Sequence, residues 1–353
     1  MGALSKYVEQ YRQPMLGEGK FIAGEASTVV LNGDTYLKSG VLVTSNTYPL
    51  ANVNHGGVTW THRTLPTSAY WISVTYGNGV FVATASYNGT IAATSPDGIT
   101  WIWSTLPFSG DWYSVTFGNG VFVAVARSSN VAATSPDGIT WSRRAMPVNT
   151  YWNSVTYGNG VFVAVAYDTT IAATSPDGIT WTQRTLPVSA SWWSVCYGNG
   201  VFVALAQDNT NKAATSPDGI TWTQRAMPVS ANWYSVCYGN GVFVAVAYGT
   251  TIAATSPDGI TWTQRTLPVS GYWHTVCYGN GVFVTLAGGP SAAATSPDGV
   301  TWTHGAMPTG DWHSVCYGNG TFVTVSYGGA IAATSFDYVG SPTYTPGLYF
   351  RVA

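Results

Sequence analysis

The sequence predicts an all-β fold: a seven-bladed β-propeller of four-stranded antiparallel blades, preceded by a small N-terminal extension. Three observations predict it. The motif W-x-[ST]-V-x-[YF]-G-N-G-x-F-V occurs seven times, beginning at Trp71, Trp112, Trp152, Trp192, Trp233, Trp273 and Trp312. The copies lie 39 to 41 residues apart and hold four short β-rich stretches with no helical periodicity, which is the period and content of a propeller blade. The two ends of the array are incomplete in complementary ways.

In the third copy the first strand is expected at Ser154 to Tyr157 and the second at Val161 to Ala166, joined by Gly158-Asn159-Gly160. Asn and Gly supply the positive φ that so tight a hairpin requires. A third strand is expected at Ile171 to Thr174, a turn at Ser175 to Gly178, and a fourth strand at Ile179 to Arg184. The turn belongs to the heptad SPDGITW, which recurs at Ser95, Ser135, Ser175, Ser216 and Ser256, with SPDGVTW at Ser296. Its carboxylates, Asp97, Asp137, Asp177, Asp218, Asp258 and Asp298, are placed to accept backbone N–H bonds while Gly takes the strained dihedral and Trp packs beneath.

This heptad resembles the Asp-box of sialidases and related propellers, shortened by one residue so that Gly directly follows Asp. In that family the box is structural, and the resemblance implies the same role here.

The array ends predict how the ring closes. Gly56 to Pro66 matches only the fourth-strand half of a copy, and Ile331 to Asp337 matches only the third strand and the opening of the box. The last blade should therefore take its fourth strand from Val58 to Arg63. One split box would then join Ser335 and Asp337 to Gly57 and Trp60.

The remaining pieces are residues 1–53, expected to anchor or oligomerise the chain, and a C-terminal tail at 341–353, flanking a propeller at 54–340. All three glutamates, Glu9, Glu18 and Glu25, lie in the extension, where a short helix around Leu4 to Tyr11 and a β segment around Tyr36 to Thr44 are expected.

Composition narrows function. At 353 residues the chain exceeds what one core supports, and repetition solves that problem. Only 8% of residues are charged and the net charge is −2, so nucleic acid and anionic lipid are not expected partners. No apolar run of 18 residues exists for membrane insertion, and the first twenty residues lack an apolar run of the length a secretory signal needs, so none is expected. Cys196, Cys237, Cys277 and Cys316 occupy one repeat position, filled by Thr75, Thr116 and Thr156 in earlier copies. Equivalent positions of stacked sheets lie about 10 Å apart, too far for disulfides, so four free buried thiols are expected.

Each antiparallel blade has two edges. One holds Gly-Asn-Gly in all seven copies and Ser-Pro-Asp-Gly in six, a uniformity that suits structure. The copies diverge on the other, where Tyr, Trp, Asn, Asp and His dominate. Candidate ligand-binding residues on this variable edge are Tyr113, Asn153, Tyr167, Trp193, Asp208, Tyr234, Tyr248, His274 and His313. Rigid aromatic planes beside short polar groups suit a glycan or a protein contact. The seven repeated Trp residues themselves are expected to pack between blades.

Catalysis is not expected. The ring has no Glu, its spare aspartates are Asp111, Asp168, Asp208 and Asp311, and Arg63, Arg144, Arg184, Arg225 and Arg265 fill one repeated strand position rather than a substrate clamp. No nucleophile elbow or phosphate loop occurs. His274 and His313 occupy equivalent positions in neighbouring copies, but two imidazoles alone do not define a metal site, so no metal and no cofactor is expected.

The combination of SPDGITWTQRTLP with YGNGVFVAVA, through residues 71–335, resembles propeller repeats of bacteriophage tail and fibre proteins. GDTYLKSGVLVTSNTYPLA at 33–51 resembles a segment common ahead of phage tail-protein domains, and the ending GLYFRVA resembles their C-termini. The resemblance implies a virion protein assembled in the host cytoplasm, held by other virion proteins through its extension, with homo-oligomerisation open, and contacting a host-surface glycan or protein. A bacterial lectin-like adhesin is the alternative, with a glycan-cleaving enzyme well behind.

Overall fold

The computed structural model describes residues 28–31, 34–38, 53–54, 56–87, 89–289, 291–336, 338–339 and 349–351. The helix expected around Leu4 to Tyr11 and the carboxylate of Asp337 lie outside the described residues. The chain divides into two compact units, Met1–Asn54 with Val339–Ala353, and His55–Tyr338.

In the first unit Thr28–Leu31 pairs antiparallel with Asp34–Lys38, which pairs in turn with Tyr349–Arg351. Asp34–Lys38 covers the start of the β segment expected at Tyr36 to Thr44, and residues 39–44 lie outside the described residues. Within the C-terminal tail, Arg351 lies opposite Tyr36 and Tyr349 opposite Lys38.

The second unit is an all-β, propeller-like array with no helix among the described residues. The third repeat shows the pattern. Its strands Trp152–Gly158, Val161–Ala166, Thr169–Ser175 and Thr182–Ala190 hydrogen-bond in that order as a four-stranded antiparallel sheet. The hairpin between the first two turns on Asn159 and Gly160, with φ of 48° and 77°. Ile102–Gly118 and Thr263–Gly279 each run from the fourth strand of one repeat straight into the first strand of the next.

The fourth strand begins at Thr182 rather than at Ile179, and the box explains why. One Asp177 carboxylate oxygen accepts the N–H groups of Ile179 (2.8 Å) and Thr180 (3.0 Å), while Trp181 Nε1 donates to the Gly178 carbonyl at 3.0 Å. Those residues are held in the turn and cannot join the ladder. The strand then continues past Pro187 to Ala190, which an outermost strand tolerates because only one side needs donors.

The chain ends meet as the sequence predicted, with the same offset. Thr61–Thr64 pairs antiparallel with Ile331–Phe336, Thr64 opposite Ile331 and Thr61 opposite Thr334. Gly57 N–H donates to Ser335 Oγ (2.6 Å), Trp60 Nε1 to the Gly57 carbonyl (3.0 Å) and Arg63 Nε to Thr334 Oγ1 (2.9 Å).

The first strands face one another around the middle. The N–H of Val115 donates to Ser73 Oγ, Val155 to Ser114, Val195 to Ser154, Val236 to Ser194, Val276 to Ser235 and Val315 to Thr275 Oγ1. Val74 donates to Ser314 Oγ at 3.0 Å and returns the series to its start. The circle packs as tightly as it bonds: a Cβ on Gly158 would collide with the Tyr197 ring of the next repeat, and one on Gly318 with the Tyr76 ring.

All seven repeated Trp side chains are fully buried, and each indole N–H donates to the carbonyl four residues back, as from Trp152 to Val148. The repeated arginines are structural: Nε of Arg144, Arg184, Arg225 and Arg265 donates to a threonine hydroxyl on the adjacent strand. The four cysteines are free but half-buried rather than buried as expected, and desolvation of the thiol pushes Cys277 up to about 12.

Candidate functional site

The uniform edge is tied down. Asn78 Nδ2 donates to the Pro136 carbonyl of the next repeat's box (3.1 Å), and Asn159, Asn199 and Asn240 do the same to Pro217, Pro257 and Pro297. Each of the six described box aspartates is held below the usual carboxylate range by backbone N–H bonds that outweigh desolvation; in Asp177 the bond from Thr180 contributes most. These groups are engaged within the ring.

The variable edge differs. Three repeat positions meet there: the residue before each buried Trp, the residue after it, and the residue that ends or directly follows the second strand, Arg127 and Tyr167 among them. Because first strands converge on the centre, side chains far apart in sequence come into ring contact. His313 stacks on Tyr327 (4.7 Å between centroids) and on His274 (3.8 Å, 22° between planes). Tyr248 lies between Tyr272 (4.7 Å) and Tyr234 (4.7 Å), and Tyr234 meets Trp193 at 4.7 Å. Trp193 meets Tyr113 edge-on at 5.7 Å and Tyr167 at 6.1 Å. On the other flank Tyr327 contacts Tyr70, which contacts Tyr87.

Seven of the nine predicted residues, Tyr113, Tyr167, Trp193, Tyr234, Tyr248, His274 and His313, thus belong to one continuous aromatic surface. Asn153 sits beneath it, 3% exposed, its Nδ2 donating to the Trp192 carbonyl at 3.3 Å. Asp208 does not join. Its carboxylate accepts the Thr210 hydroxyl (2.7 Å) and faces Lys212 Nζ (3.7 Å), so it braces its own loop.

Sequence reasoning missed Arg127 as a site residue. Its guanidinium carbon lies 4.0 Å from the Tyr113 ring centre, 5.4 Å from that of Trp193, 5.7 Å from Tyr167 and 5.8 Å from Tyr151. No carboxylate forms an ion pair with it among the described residues, and its buried Nε has no hydrogen-bond partner. The Asn153 Oδ1 and Gln207 Oε1 atoms are likewise buried and unpartnered. The available signal was that Arg127 and Gln207 stand where Tyr167, Tyr248 and Tyr327 stand in three other copies.

Burial dominates the electrostatics here. It pushes the Tyr113 phenol up to about 12 against the opposing pull of Arg127, and it raises Tyr234 as well. Burial and the neighbouring His313 push His274 down to about 3, so this imidazole is neutral. Asp311 is held below the usual carboxylate range, chiefly by His313 and more weakly by His274. Its Oδ2 lies 3.4 Å from His313 Nε2 and its Oδ1 3.7 Å from His274 Nε2. Together the three residues bring metal-competent atoms within 4.8 Å of one another, a grouping the sequence reading lacked because it did not place Asp311 beside the two histidines.

No family model and no curated protein sequence matches this chain. Solved structures do. A catalytically inactive virginiamycin B lyase from Staphylococcus aureus with quinupristin aligns with a TM-score of 0.71 at 12% identity, covering 79% of this chain and 99% of the lyase. YCF48 bound to a D1 peptide aligns with a TM-score of 0.62 at 15% identity, over 78% of this chain and 94% of that one. A computationally designed protein, Ika8, aligns with a TM-score of 0.54 at 11% identity, over 76% and 98%. At such identities the likeness concerns the fold alone, and the fold that this chain shares with them is the β-propeller.

Proposed function

We propose that this chain is a phage virion component, a tail-fibre, receptor-binding or decoration protein, whose seven-bladed propeller binds the host surface through the variable edge. In this reading the Asp-box turns are scaffold, the seventh blade is completed by the N-terminal strand, and residues 1–53 attach the ring to other virion proteins. The protein acts by binding and not by catalysis.

The observation that carries the reading is Arg127. An unpaired guanidinium set among Tyr113, Tyr151, Tyr167 and Trp193 is a place where a carboxylate can take a charge-assisted bond while an apolar sugar face stacks on the neighbouring rings. The favoured ligand is an acidic glycan. YCF48, described with a bound peptide, motivates one rival: a peptide carboxylate offers Arg127 the same charge.

A glycan array probed with the full chain, beside an acidic-peptide array, separates the two. Acidic glycans should be retained by the wild type and lost with Arg127→Gln or Trp193→Ala. Retention of acidic peptides alone would transfer the site to a protein receptor. Equal binding by wild type and both variants would remove the variable edge from the function.

A further inference from the structure

We propose that His274, His313 and Asp311 form a site for a divalent transition-metal ion, zinc by its ligand chemistry, with one coordination position open to the adjoining surface hollow. The inference stands whether or not the rim binds a host glycan.

The geometry comes first. His274 and His313 follow the buried Trp273 and Trp312 of consecutive repeats, so the strand register projects both imidazoles in parallel, 3.8 Å apart. Both Nε2 atoms face the two oxygens of one carboxylate, at 3.7 and 3.4 Å. Those separations exceed an ordinary N–H···O bond of about 2.9 Å. They lie near the roughly 3.3 Å edges of a tetrahedron whose centre is about 2.0–2.1 Å from each ligand atom, and a bound ion would draw the two stacked rings apart, from 3.8 Å to roughly 5 Å between centroids, so that both Nε2 lone pairs point at it. The Asp311 carboxylate is the only polar partner that either imidazole has among the described residues.

The second observation is Gly288. Its repeat position carries Ser86, Arg127, Tyr167, Gln207, Tyr248 and Tyr327 in the other six copies. A Cβ there would collide with Asp311 Oδ1 and lie 3.2 Å from His274 Nε2. The one repeat without a side chain is thus the one in which a carboxylate occupies that space, against an imidazole. Beside it lies an open hollow of about 810 Å³ bordered by Tyr272, Gly288, Gly289, Ser291, Gly310 and Asp311. Asp311 is half exposed toward solvent whereas His274 is nearly buried. An ion bound here would have two imidazoles on its protein side and a water, or an oxygen of a ligand, on its open side. Two His, one carboxylate and a free position form a donor set that suits zinc.

The test is isothermal titration of the chelator-treated full chain with zinc chloride, followed by cobalt substitution. Wild type should bind one equivalent of zinc, melt at a higher temperature with zinc in excess, and show the visible absorption of tetrahedral Co2+. Asp311→Asn should weaken binding by about 100-fold or more. Gly288→Ala, which pushes a methyl group into the carboxylate, should do so too while leaving the zinc-free melt near that of wild type. Replacing the four cysteines by Thr should leave binding intact. Absence of stoichiometric binding, equal binding by Asp311→Asn and wild type, or loss of binding with the cysteines would each overturn the proposal.

Discussion

Replacing Trp60 by Ala tests whether the N-terminal strand is a full member of the ring. Trp60 is 8% exposed, packs with Val284, Leu286, Trp312 and Phe322, and donates to the Gly57 carbonyl at 3.0 Å. Trp181, inside the chain, is also 8% exposed and donates to Gly178 at 3.0 Å. Truncating a buried Trp to Ala costs about 3–5 kcal/mol, the lost transfer free energy together with the cavity left behind. The two substitutions should therefore be equivalent within about 1 kcal/mol, each lowering Tm by roughly 6 °C or more. Urea denaturation followed by circular dichroism measures both, and m must stay constant for the comparison to hold. A Trp181→Ala loss of several kcal/mol beside a Trp60→Ala loss under about 1 kcal/mol would refute the closure. It would mean that the N-terminal strand frays without the ring noticing. Removal of residues 1–66 should be worse than either, since it deletes Trp60, Leu65, the Arg63–Thr334 bond and the whole pairing with Ile331–Phe336.

Three further outcomes are expected. The box aspartates have depressed folded-state pKa values, so their stabilisation is complete above the ordinary carboxylate pKa of 3.8 and is lost as pH falls through and below it; the urea midpoint should fall between about pH 5 and pH 2, less steeply in Asp177→Asn. Gly158→Ala should lower the melting temperature well beyond Gly160→Ala, because its methyl meets the Tyr197 ring whereas Gly160 faces open space and costs only the strain of its φ of 77°. The cysteines are half-buried and desolvation raises their thiols, so they should react slowly with iodoacetamide in the native chain and fast once it is unfolded in urea, as a mass spectrum would show; equal rates in the two states would refute this.

Most of the scaffold was legible because its determinants are local. Asn159-Gly160 makes a hairpin wherever it stands between two strands, and Ser175, Asp177 and Trp181 close their turn with bonds two or three residues long. The offset of the fourth strand was missed although its cause is equally local: a run such as ITWTQR looks like one strand until the Asp177 bonds to Ile179 and Thr180 are counted. The expected end at Arg184 was short as well, since Pro187 would end an interior strand but not the outermost one that runs to Ala190.

The candidate site was legible only as a list. The repeat register places Tyr113, Trp193, Tyr234, His274 and His313 at one position of successive copies, and comparison among copies identifies them as variable. It does not say which of them touch. Asp208 and Asn153 resembled rim ligands in sequence, yet one braces its loop and the other lies under the aromatic layer.

By itself the sequence determined the repeating unit, its turns and the joining of its two ends, because periodicity and turn chemistry act over a few residues and repeat without error. Only the tertiary structure decided that Arg127 lies unpaired among four rings, that Asp311 faces two imidazoles, and that Gly288 leaves room for it. Those relations arise where first strands from different repeats converge on one centre, and spacing along the chain carries no record of which side chains meet there.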